Sequence, residues 1–122
     1  VTLVAHAGNT DYLLVGYGVN GSYTDIYFNL STGSYVSGKS GSTIEDLGDG
    51  WYKVKISFTF TAGASTTVYC SPLRIASYSN RVSGDYLYVE YMNVSLTEDD
   101  EHVVTDFLGG TFADNAVDVA AL

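Results

Sequence analysis

The stretch Trp51-Tyr52-Lys53-Val54-Lys55-Ile56-Ser57-Phe58-Thr59-Phe60 alternates without a break. Tyr52, Val54, Ile56, Phe58 and Phe60 fall on one side, and Trp51, Lys53, Lys55, Ser57 and Thr59 on the other. A period of two is the mark of a strand with one face on a core and one toward water. Leu47-Gly48-Asp49-Gly50 stands before it, a turn signal ending in Asp-Gly. The same logic yields strands over roughly Thr2–His6, Tyr12–Tyr17, Asp25–Asn29, Ser34–Ser37, Thr66–Cys70 and Tyr86–Leu96. They are bounded by clusters such as Ala7-Gly8-Asn9, Asn20-Gly21-Ser22 and Ala62-Gly63-Ala64. Pro72 stands where the strand after Cys70 should bend or end. Residues 77–84 read as a polar loop. No amphipathic helical pattern of ten residues occurs before the C-terminal segment, so the expectation is an all-β protein, an antiparallel sandwich of two sheets.

The 122 residues amount to one core, and 46% hydrophobic content is enough to build it without metals or disulfides. The single cysteine, Cys70, excludes an intrachain disulfide and a multi-thiolate metal site, and reads as a small buried hydrophobe. A net charge of −9 argues against a phosphate-tracking surface, so no nucleic-acid partner is expected. No run approaches the ~20 apolar residues of a membrane helix, and no membrane partner is expected either. No basic region followed by an apolar stretch opens the chain, so no signal peptide is read in it. The start at Val1 leaves a processed product or a fragment open.

Charge is distributed unevenly. Glu98, Asp99, Asp100, Glu101, Asp106, Asp114 and Asp118 are accompanied by no Lys or Arg, whereas 1–97 holds all five basic residues against the other seven acids. The expected organisation is a sandwich over 1–97 and an acidic extension over 98–122. The extension reads either as a solvated linker or as an arm lying on a partner subunit, anchored by Val103, Val104, Phe107, Leu108 and Phe112.

Tyr27-Phe28-Asn29-Leu30-Ser31-Thr32-Gly33, followed by Ile44-Glu45-Asp46-Leu47-Gly48-Asp49-Gly50-Trp51-Tyr52-Lys53-Val54, resembles a phage-type carbohydrate-binding module. Such modules are jelly-roll domains of phage tail fibres, tailspikes and polysaccharide-degrading enzymes. The similarity runs from about Leu3 to Leu96 and is most specific at Gly48-Asp49-Gly50-Trp51-Tyr52. Asn29 replaces the usual Asp, Lys53 the usual Arg, and Tyr86–Val94 lacks a Trp often found there. The resemblance implies a jelly-roll sandwich and glycan or polysaccharide binding without catalysis. It also implies a virion or extracellular setting with other virion or assembly subunits as neighbours.

Sugar binding requires a flat apolar platform and a few hydrogen-bonding groups. Trp51, on the face of Lys53 and Lys55, reads either as that platform or as a plug at the end of the sandwich. Tyr86, Tyr88 and Glu90 share a strand face and read as a second platform or as a stabilising aromatic ladder. Tyr17, Tyr23 and Tyr78 are weaker candidates near turns. His6 and His102 sit in no nucleophile motif, and Glu45, Asp46 and Asp49 fall in a turn region without the desolvation a glycosidase acid needs. No catalytic residue and no cofactor are expected. Structural calcium is the one inorganic option, with oxygen ligands from Asp46, Asp49 and Glu98–Glu101 but no EF-hand spacing. A second reading of the whole chain is structural: a virion decoration or fibre subunit assembling through its sandwich and acidic arm.

Overall fold

The structure is a computed structural model, which describes residues 1–76 and 82–94 and the backbone of 95, 101–103 and 116–118. Ten strands are assigned: β1 (Thr2–Ala7), β2 (Tyr12–Val19), β3 (Ser22–Asn29), β4 (Ser34–Ser37) and β5 (Thr43–Gly48), then β6 (Trp51–Lys55), β7 (Thr66–Leu73), β8 (Leu87–Ser95), β9 (Glu101–Val103) and β10 (Ala116–Asp118). Two sheets form, in the orders β5-β6-β1-β8-β9 and β10-β7-β2-β3-β4, with every pairing antiparallel. Each has four principal strands and one three-residue edge strand. Among the described residues there is no helix. The fold is a β-sandwich, as the alternation predicts.

Its core lies between the sheets. Leu3 and Ala5 from β1, Val54 from β6, and Leu87, Met92 and Val94 from β8 face Leu13 and Val15 from β2, Ile26 and Phe28 from β3, and Val68 and Cys70 from β7. Each large side chain removed from water in this way contributes about 1.5–3 kcal/mol.

The deciding stretch keeps its alternation but not its length. Val54 and Ile56 are buried, and Tyr52, Phe58 and Phe60 pack against the core, while Ser57 and Thr59 are exposed. Ladder pairing nevertheless stops at Lys55, because its partners Thr2 and Thr43 are the first residues of β1 and β5. Beyond it, Ile56 N–H donates to the Val1 carbonyl at 3.0 Å and the Val1 terminal ammonium donates back to the Ile56 carbonyl at 2.7 Å, which continues the pairing with the β1 side by one residue.

Other boundaries also move. Thr43–Gly48, read as a turn region, is a strand at the sheet edge. Its mostly exposed residues have only one face to bury, so no alternation marks it, and Glu45 and Asp46 suit an unpaired edge. The turn signal itself is realised: Asp49 and Gly50 both have positive φ, 55° and 81°, as a two-residue hairpin with right-handed twist requires. Asn20-Gly21 repeats this geometry between β2 and β3, which therefore run further toward each other than the apolar pattern indicates. Pro72 does not end β7, which continues to Leu73. The β10 pairing covers only Thr67–Tyr69, so at Pro72 the side of β7 away from β2 has no ladder partner among the described residues, and a missing N–H costs nothing there.

Candidate functional site

The first sheet places three ring-bearing residues in a row across its outer face, with a fourth beside its end. Register pairs His6 of β1 with Trp51 of β6 on one side and with Tyr88 of β8 on the other. The His6 and Trp51 ring centroids are 5.2 Å apart at 65°, and those of His6 and Tyr88 6.3 Å apart at 71°. Tyr86, two positions before Tyr88 along the same chain segment, adds a fourth ring 5.7 Å from Tyr88 and edge-on to it. Tyr86 and Tyr88 are 48% and 54% exposed, a large apolar area left facing water. Trp51 is half-buried and is not among the residues packed on the core; it lies on the outer face against His6 instead of between the sheets.

Local structure explains why the rings sit there. Trp51 is the first residue after the Asp49-Gly50 turn, so the hairpin that β5 makes with β6 sets its position. His6 spans two backbones: Nδ1 lies 2.7 Å from the Ala7 carbonyl and Nε2 3.1 Å from the Asp49 carbonyl. A Cβ on Gly50 would lie 2.6 Å from that Nε2, so the close approach requires glycine. Tyr86 precedes β8 and is held from the β1–β2 loop. Its N–H donates to Asn9 Oδ1 at 2.7 Å, and Asn9 Nδ2 donates to the Gly84 carbonyl at 3.2 Å. A side chain at Gly8 would overlap the Tyr86 ring.

The remaining sequence candidates are placed as follows. Lys53 stands in register between Glu45 of β5 and Val4 of β1, one outward position from Trp51 along β6. Glu90 is the extra residue of a β-bulge: β1 Ala5 pairs with Val89 and Val4 with Tyr91, leaving Glu90 exposed and unpaired in the ladder. It therefore does not simply continue the Tyr86–Tyr88 register. Val104, Phe107, Leu108 and Phe112 lie outside the described residues, as does the side chain of Val103; so do Tyr78 and Glu98–Asp100. Asp46 Oδ1 accepts a hydrogen bond from Gly48 N–H at 2.8 Å. Among the described residues no three His, Cys, Asp or Glu gather as metal ligands. Sequence reasoning missed His6 and Asn9 as parts of the row. The outward register of His6 beside Val4 was the available signal, but its neighbours stand 45 and 82 positions away.

The opposite sheet carries aromatics of a different kind. Tyr17, expected near a turn, lies within β2 and packs toward the core, stacked on Phe58 at 4.2 Å and 3° with Lys39 Nζ 5.2 Å from its ring. Tyr69 lies across Gly16 and donates its hydroxyl to Asp25, and Tyr23 leans edge-on to Tyr69 over Gly18. Tyr69 and Tyr23 are tied to their own sheet, whereas Tyr17 reaches Phe58 beyond the end of β6. Cys70 is 1% exposed, and burial pushes its thiol well above the ordinary range.

Compared with known proteins, the chain matches no family model, no curated protein and no solved structure.

Proposed function

We propose that the outer face of the first sheet is a non-catalytic carbohydrate-binding surface, with the Trp51–His6–Tyr88–Tyr86 row as its platform. The observation that carries this reading is the row itself: aligned rings, two of them about half exposed, with hydrogen-bonding groups at their margins. Aromatic faces receive the C–H face of a sugar ring, while Lys53 and Glu90 supply a donor and an acceptor for hydroxyls. Trp51 and Tyr88 are two strand spacings apart, about 10 Å. A ligand touching both is longer than one sugar ring, which favours an oligosaccharide or polysaccharide.

The likeness of Gly48-Asp49-Gly50-Trp51-Tyr52 to phage-type carbohydrate-binding modules supports the same assignment. It also supports a jelly-roll relationship and a place on a virion or outside the cell, as a tail-fibre, tailspike or capsid-decoration component. In the strand order, the pairing of β1 with β8 and β2 with β7 is in keeping with a jelly roll, while β2-β3-β4 runs as a simple meander.

The test is a glycan array probed with the wild-type chain and with Trp51→Ala and Tyr88→Ala, each checked for native melting. Binding that falls at least tenfold in both variants supports the proposal. Equal binding by two folded variants removes it.

A second reading, structural assembly through sheet edges, has its own observation. The edge strand β4 is exposed throughout and carries neither charge nor proline, the usual guards against strand addition.

A further inference from the structure

His6 stands at the centre of the aromatic row, held between two backbone segments. Both nitrogens face carbonyl oxygens, Ala7 at 2.7 Å and Asp49 at 3.1 Å. A carbonyl only accepts. A neutral imidazole has one N–H, so it donates to one carbonyl and directs a lone pair at the other; the imidazolium donates to both. The neighbouring rings add to this. Trp51 and Tyr88 stand on either side at steep angles, and Trp51, with its centroid 5.2 Å from that of His6, is within the range where an aromatic ring attracts a cation.

We propose that His6 is a positioning residue whose imidazolium form fastens the β5–β6 turn beside Trp51, so that the aromatic face changes with pH. This rests on the carbohydrate-binding reading only for what the face binds; the coupling between His6 and the turn stands without it. When the ring deprotonates, one proton leaves to solvent. The shorter contact, to the adjacent Ala7 carbonyl, retains the remaining N–H. The longer one then sets the Nε2 lone pair against the Asp49 carbonyl, and the side-chain tie between β1 and the turn is lost. Asp49 and Gly50 form that turn and Trp51 follows it directly, so the platform loses its fixed edge.

The charged and titratable groups around His6 are few. Asp49 lies on the turn and Lys53 one outward position further along β6; Asp46 and Glu45 stand on β5. Tyr88 and Glu90 belong to β8, with Tyr86 just before it. β1 contributes no other charged side chain. Histidine is the side-chain type that ordinarily changes charge between about pH 5 and 8. His6 is the one histidine among residues with described side chains.

The experiment is an NMR titration of the full 122-residue chain from about pH 5 to 8.5. It follows the His6 ring nitrogens, the amides of Asp49, Gly50 and Trp51, and Trp51 emission together. The expected result is two protonated ring nitrogens at the acid end. The three amides and the emission then move in one step as His6 loses its proton. His102→Gln keeps the step and His6→Gln lacks it. A His6 ring that titrates while Asp49–Trp51 stay still overturns the proposal, as does a step that persists in a folded His6→Gln. Should that variant fail to fold, the wild-type ring and amide signals decide alone.

Glycan binding measured alongside is expected to be about fivefold weaker at the alkaline end, the equivalent of one hydrogen bond. An NMR step with no glycan captured at any pH supports the His6 coupling and removes only the carbohydrate reading. Glycan capture without the step removes the coupling and leaves that reading in place.

Discussion

Gly16, Gly8 and Gly50 each leave space that a ring occupies. At Gly16 the space is filled by Tyr69, whose hydroxyl is held by Asp25, so the ring has no alternative place to go. Gly16→Ala is expected to destabilise by about 1–3 kcal/mol through overpacking, read as a lower midpoint in urea with unchanged slope. Gly50→Ala combines a clash with His6 and a φ of 81°, a backbone region that costs a side chain about 1–3 kcal/mol. Its added signature is a shift in Trp51 emission.

Cys70 makes a chemical prediction. Burial raises its thiol, so the native protein holds the proton at a pH where the unfolded chain has lost it. The unfolded state then binds fewer protons, and stability falls as pH rises above the ordinary thiol range, about 8.5. Below that pH the contribution is fully present. The expected outcomes are a thiol inert to a disulfide reagent until the protein unfolds, and an alkaline loss of stability that is smaller in Cys70→Ala.

At the scale of elements, the β5–β6 hairpin does the positioning. Its Asp-Gly turn, its bulge at Leu47 and the His6 contact jointly orient Trp51. At the other end of the row, Arg74 grips the carboxylate of Asp85 through Nε and Nη2 at 3.0–3.1 Å, next to Tyr86 in sequence. Asp85 is buried while Arg74 is largely exposed. Arg74→Ala strands that carboxylate and is expected to lower the melting temperature and weaken ordering of Tyr86. Arg74→Lys, which keeps charge but loses the fork, is expected to restore part of it. Differential scanning calorimetry on the three proteins checks the order.

For the whole molecule, the core is one contiguous cluster shared by both sheets, so stability is lost cooperatively. Phe28, fully buried on β3, is the largest side chain of this cluster with no exposed surface. Phe28→Ala is expected to cost about 3–5 kcal/mol, a large part of what a domain of this size holds. Far-ultraviolet and near-ultraviolet circular dichroism should then melt together at a lower temperature. Two separated transitions would show that the sheets do not share one core.

Much of this architecture was legible because strand periodicity is a local property. Which face of Trp51–Phe60 is buried follows from chain geometry alone, and so do the two-residue turns at Asn20-Gly21 and Asp49-Gly50, where the backbone demands glycine or a short polar residue. Edge strand β5 was not legible, since an exposed strand has no buried face to imprint a pattern. The continuation of β7 through Pro72 was not legible either, because it depends on which neighbour is missing. The aromatic row divides along the same line. Trp51, Tyr86 and Tyr88 announced themselves as outward rings, but their alignment through His6, and the loop from Gly8 to Asn9 that holds Tyr86, required the register of three strands distant in sequence. Alternation determines where a side chain points; only the pairing of β6, β1 and β8, chosen by how two sheets close over one core, determines what it meets.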